Sequence, residues 1–68
     1  MEQGTVQYFK DTYGFIRRDE GGPDLFVHWT DIEGMNGHKK LEPGQRVAYN
    51  VTISERNNTP KAVNVRVI

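Results

Sequence analysis

In the segment Arg46 to Ile53 every odd position is apolar (Val47, Tyr49, Val51 and Ile53), and the residues between them are Arg46, Ala48, Asn50 and Thr52. A period of two is the signature of a strand with one covered face, and no stretch of the chain shows the three-to-four spacing of a helix. Four further segments suit a pleated surface. Gln3 to Lys10 carries Thr5, Val6, Tyr8 and Phe9, and Tyr13 to Arg18 follows the short connector Asp11-Thr12 as the second arm of a tight hairpin. Leu25 to Trp29 follows the turn Glu20-Gly21-Gly22-Pro23-Asp24. Ala62 to Val67 alternates again, with Val63, Val65 and Val67 expected on one side, after the polar loop Ser54 to Pro60. Thr30 to Lys40 is a longer polar connection with turn chemistry at Gly34, Asn36 and Gly37 and room for one helical turn at Thr30-Asp31-Ile32, and a further turn is expected at Glu42-Pro43-Gly44.

Five short strands without a helix predict an all-β fold. A sheet of this size protects its edges by closing, so the expected architecture is a five-stranded antiparallel barrel. With 68 residues the chain has room for one domain, residues 1–68. A domain so small needs most of its large apolar side chains for the core, so any aromatic ring left outside calls for an explanation.

Cysteine is absent, which excludes a disulfide framework, a thiolate metal site and a cysteine nucleophile. No apolar run approaches a membrane span or the core of a signal peptide, and a cytoplasmic, monomeric protein without membrane attachment is expected. Nine Lys and Arg balance nine Asp and Glu, so bulk charge does not point to a polyanionic partner. Any cationic surface must come from local arrangement.

Side-chain alternation sorts the rings. Tyr13, Phe15 and Arg17 share one face of the second strand, against Gly14, Ile16 and Arg18; in the third, Leu25, Val27 and Trp29 oppose Phe26 and His28. Ile16, Leu25 and Val27 form a consistent aliphatic interior, which leaves Tyr13, Phe15, Phe26 and His28 outside with Arg17 beside them. In the first strand Val6 and Tyr8 have one parity and Phe9 the other, so Val6 and Phe9 share the core only if a bulge intervenes, with Tyr8 then exposed. The inverted assignment, rings inside and aliphatics outside, is the commoner use of aromatics. It would bury His28 without an evident partner, and it gives no reason for a glycine in mid-strand at position 14, which fits a close approach of backbone or ligand.

A row of exposed rings suits single-stranded nucleic acid, because every base offers a π-face whatever its sequence. Lys10, Arg17, Arg56 and Lys61 are candidates for the phosphate rim. The same aromatic surface would also serve a protein-interaction module. Catalysis has little to build on. His28 with Asp24 or Asp31, and Ser54 or Thr30 as nucleophile, are sets that short chains contain by chance, and two histidines ten residues apart on different elements lack metal-ligand spacing. No cofactor, metal or small-molecule substrate is expected.

Across nearly its whole length the sequence resembles the cold-shock domain proteins, small five-stranded barrels of the oligonucleotide-binding (OB) fold. Gly4-Thr5-Val6-Gln7-Tyr8-Phe9 is similar to the family's opening G-x-V-K-W-F, and Tyr13-Gly14-Phe15-Ile16 to the end of its first ribonucleoprotein motif, K-G-F-G-F-I. Asp24-Leu25-Phe26-Val27-His28-Trp29 resembles the second, D-V-F-V-H-F; Ile32-Glu33-Gly34, Leu41 to Val47 and Pro60 to Val65 follow the later pattern. The resemblance implies that Tyr8, Tyr13, Phe15, Phe26, His28 and Trp29 stack bases of RNA or single-stranded DNA, that His38 takes the place of another exposed ring, and that the protein acts as an RNA chaperone or regulator in transcription, translation or the cold response. The chain departs from the pattern where Gln7 replaces a lysine and Tyr8 a tryptophan. Asp11-Thr12 makes a shorter loop without the family's Lys-Gly, and Asn58 stands where a basic residue is common. These departures thin the cationic rim more than the stacking surface, so sequence-tolerant binding with a shallow salt dependence is expected.

Overall fold

The computed structural model describes residues 1–34 and 40–68. The chain forms β1 (Glu2–Lys10), β2 (Tyr13–Arg18), β3 (Leu25–His28), a 3-10 turn (Trp29–Asp31), β4 (Arg46–Ile53) and β5 (Pro60–Val67). The strands close into a barrel in the order β1-β2-β3-β5-β4. Four seams are antiparallel, as the alternating segments predict, and β3 pairs with β5 in parallel through Phe26 and Lys61. That exception is a matter of parity: strand directions cannot alternate all the way round a closed ring with an odd number of members.

The interior is aliphatic. Ile16, Leu25, Val27, Ile32, Val47 and Val65 are fully buried, joined by Val6, Leu41, Ala62 and the ring of Tyr49. Each such side chain contributes on the order of 1.5 to 3 kcal/mol by leaving water, which is how a chain without cysteine holds its shape. The Tyr49 hydroxyl donates to the Gln3 carbonyl at 3.3 Å, so its one polar atom is not stranded. Burial also pushes that hydroxyl above the ordinary tyrosine range, with the negative charge of Glu2 adding to the effect.

Two bulges set which side chains reach the inside. On β1 the pairing steps from Val6 opposite Ile16 to Tyr8 opposite Phe15, so Gln7 is an extra residue. Val6 is therefore buried, Tyr8 stands 45% exposed, and Phe9 turns back to pack against the core. On β5 the pairing steps from Arg66 opposite Ala48 to Val63 opposite Asn50, with Asn64 at φ 53°. This corrects the expected alignment of Val63, Val65 and Val67. The extra residue breaks the alternation, and Ala62 and Val65 become the buried pair while Val67 lies at the surface. Ile53, the last odd position of β4, is also exposed because the strand there runs past the end of the core.

Gly14 meets a close approach of backbone: a Cβ there would lie 2.2 Å from the Tyr8 carbonyl oxygen and 2.8 Å from the Phe9 Cα. The bulged strand crosses directly above it, so the absent side chain makes room for protein and not for a ligand. Beyond Thr5 the β1–β4 ladder continues into the Glu42–Gln45 turn. There the Val6 N–H donates to the Gln45 carbonyl at 2.9 Å and the Gly44 N–H to the Val6 carbonyl at 2.8 Å. No helix among the described residues is long and apolar enough to cross a membrane.

Candidate nucleic-acid interface

The outer surfaces of β1, β2 and β3 and the 3-10 turn that follows carry six rings in unbroken succession. Tyr8 lies 5.5 Å from Phe15, Phe15 5.8 Å from Phe26, Phe26 6.5 Å from His28 and His28 6.0 Å from Trp29, measured between ring centroids. Tyr13 sits over the middle of the row, stacked on Phe26 at 5.9 Å and edge-on to Phe15 at 6.5 Å. The register explains the row: Phe15 pairs with Phe26 and Tyr13 with His28 across the β2–β3 ladder, and the bulge brings Tyr8 opposite Phe15. Tyr8, Tyr13 and Trp29 are exposed and Phe15, Phe26 and His28 half-buried, each ring covering part of the next.

Trp29 corrects the strand parity. Alternation places it inward with Leu25 and Val27, yet β3 ends at His28 and the 3-10 turn swings the indole outward, 36% exposed. His28 caps that turn: its Nδ1 accepts from the Thr30 N–H at 3.4 Å and lies 2.8 Å from the Thr30 hydroxyl. The backbone N–H must donate, which makes Nδ1 the acceptor and, in the neutral ring, leaves the proton on Nε2. The imidazole is thereby fixed in orientation beside the Phe26 ring.

The cations fall into two sets. Arg18 is held by Glu2 at 2.9 Å and by Glu20, Arg46 by Asp19 at 2.5 Å, and Arg66 by Glu33 at 3.1 Å. The bidentate Arg46 contact holds the Asp19 carboxyl below its usual range, and Asp19 and Glu2 raise Arg46 and Arg18 in turn. Lys10, Arg17 and Arg56 have no ion pair among the described residues and are exposed. Lys10 pairs with Tyr13 and Arg17 follows Phe15 by two residues on the same face, so both border the rings. The balanced net charge thus conceals an uneven distribution, with neutralised arginines away from the rings and unpaired cations beside them.

Between the rings and the β4–β5 loop lies an open cleft of about 900 Å³. Phe15, Phe26 and His28 line one side, Arg56, Thr59 and Pro60 the other, and Asp31 and Lys61 also border it. Lys61, opposite Phe26 on the parallel seam, reaches to 3.7 Å from the Asp31 carboxylate. Asp31 and the loop residues Ser54, Asn57 and Thr59 are absent from the nucleic-acid contacts expected from sequence, Asp31 and Ser54 figuring there only in a chance catalytic set; they arrive through chain crossings that alternation does not encode. His38 and the turn residues Asn36 and Gly37 lie outside the described residues. No group of three or more His, Asp or Glu side chains that would hold a metal ion is found among the described residues.

Residues 2–68 match the family model described as the 'Cold-shock' DNA-binding domain. A cold shock-like protein of Aquifex aeolicus (strain VF5) is 48% identical over 68 residues, spanning 97% of this chain and 93% of its own. Cold shock protein CspD of Bacillus subtilis (strain 168) is 46% identical over 66 residues, 96% of each chain. Among solved structures, Drosophila Unr CSD456 superposes with a TM-score of 0.79 at 27% identity, covering 98% of this chain and 26% of that one. The chain belongs to the cold-shock domain family, nucleic-acid-binding barrels of the OB-fold type.

Proposed function

We propose that the β1–β3 face binds single-stranded RNA or DNA by stacking successive bases on Tyr8, Tyr13, Phe15, Phe26, His28 and Trp29, with Lys10, Arg17 and Arg56 flanking the phosphates and Lys61 at the edge of the cleft. One observation carries this reading: the six rings form a continuous outward row while the aliphatic side chains fill the interior. Base stacking on an aromatic side chain is worth about 1 to 3 kcal/mol per base, so a few stacked bases account for micromolar binding or better after ordering costs. Such a surface competes with base-base stacking and melts weak hairpins without an energy source. That is the physical basis of an RNA chaperone acting in the cytoplasm on transcripts, by binding alone and without turnover.

Trp29 provides the test. Its fluorescence is expected to be quenched by oligothymidine or oligouridine and not by duplex of the same length. An unchanged spectrum at high strand excess refutes the proposal, and salt-insensitive capture of one protein on the same face assigns the rings to protein docking.

A further inference from the structure

The cleft beside the middle of the ring row has a chemistry that stacking alone does not use. Asp31 and Lys61 border it together, their side chains only 22% and 32% exposed, beside the rings of Phe26 and His28. Their 3.7 Å separation satisfies an ion pair but exceeds hydrogen-bond length, and no hydrogen bond to the Asp31 carboxylate is found among the described residues. A half-buried carboxylate with unspent acceptors, next to an ammonium with unspent donors and an aromatic floor, is a hydrogen-bonding template of defined polarity.

Resting on the reading of this face as a platform for unpaired bases, we infer that the cleft reads guanine. The two Asp31 oxygens accept from the guanine N1–H and N2 amine, Lys61 donates to O6, and the base plane lies against Phe26. Guanine offers two adjacent donors with an acceptor beside them, matching all three groups. Cytosine and adenine present one amine beside a ring acceptor, and uracil or thymine one N–H between two carbonyls. Each of those sets a lone pair against the second carboxylate oxygen, and an unpaired polar group in a half-buried site is what makes such discrimination steep. The platform elsewhere is tolerant of sequence; the cleft is not.

The test titrates Trp29 fluorescence with a thymidine hexamer and with hexamers carrying one guanine, inosine or adenine at each position in turn. At one position guanine is expected to tighten binding roughly tenfold over thymine, and inosine, which lacks the N2 amine, to keep only part of that gain. In Asp31→Asn, close to isosteric and lacking the second acceptor, the guanine-to-thymine ratio is expected to fall within about twofold. The ratio is the readout, so a general change in affinity does not mimic the result. If the wild-type protein binds all four hexamer types within about twofold at every position, if inosine equals guanine, or if Asp31→Asn keeps the preference, the guanine assignment is wrong while the stacking platform stands. If the thymidine hexamer itself fails to bind, the platform falls and the inference with it.

Discussion

Phe15 stands directly opposite Phe26 across the β2–β3 ladder, with ring centroids 5.8 Å apart and planes at 77°. Because the strands hold this edge-to-face pair at the centre of the row, each ring also touches a second neighbour, Tyr8 on one side and His28 on the other. The two phenylalanines are therefore the shared supports of the surface, and they are where its contribution to binding is most directly removed.

Replacing both with alanine is expected to weaken single-strand binding by about 1 to 3 kcal/mol for each ring lost, roughly 5- to 150-fold per site. The fold is expected to persist, because both rings lie outside the aliphatic core. Binding by fluorescence and folding by circular dichroism separate the two effects.

Salt dependence distinguishes the two sets of cations. Lys10→Gln is expected to lower the slope of log affinity against log salt by about 0.7, the value for one phosphate contact on a single strand. Arg46→Gln, whose guanidinium is already engaged by Asp19, is expected to leave the slope unaltered. Titrations at four or five salt concentrations give both slopes, and the wild-type total is expected to correspond to three contacts or fewer.

Gly14→Ala is expected to destabilise the domain by about 1 to 3 kcal/mol or more, the cost of forcing atoms into filled space. The new Cβ meets the Tyr8 carbonyl and the Phe9 Cα, neither of which yields without moving the bulge. Urea unfolding should show a lower midpoint, and single-strand binding should weaken along with it because the same bulge places Tyr8.

The buried Tyr49 hydroxyl gives the protein an alkaline limit. Its folded pKa is raised, mainly by burial, so its stabilising contribution is complete below the ordinary tyrosine value near 10 and is lost as pH rises from there through the folded value. Tyr49→Phe is expected to be hurt less than wild type by pH above about 10 in urea unfolding. Asp19 acts in the opposite direction: its folded pKa is lowered by Arg46, so its contribution is present above about 4 and lost as pH falls below it, and Asp19→Asn should flatten that acid limb.

Much of this arrangement is legible in the residue order. Alternation sorts Ile16, Leu25 and Val27 from Phe15, Phe26 and His28, the polar ring of His28 and the mid-strand Gly14 favour the aliphatic set as the interior, and the parity of Val6, Tyr8 and Phe9 marks where a bulge would let Val6 and Phe9 share it. The second bulge leaves no comparable mark. Val63, Val65 and Val67 alternate cleanly, and only the closure of the barrel against β4 forces Asn64 into the left-handed region. Trp29 continues the strand pattern by type, and its turn outward depends on where β3 stops, which His28 and Thr30 decide through a local cap. Asp31 and Lys61 lie thirty residues apart and meet only because the parallel seam lays β5 beside β3. Pairings across a closure carry no periodic signal, so the cleft is the part of the site that sequence does not announce.

The parallel seam has a consequence for synthesis. The cylinder is sealed by its last strand, Pro60–Val67, which fills the gap between β3 and β4. Until that segment leaves the ribosome, two strand borders and a greasy lumen stay open to water and to neighbouring nascent chains. Productive folding is therefore postponed until β5 has emerged, and the time spent unsealed is set by how fast that segment follows β4.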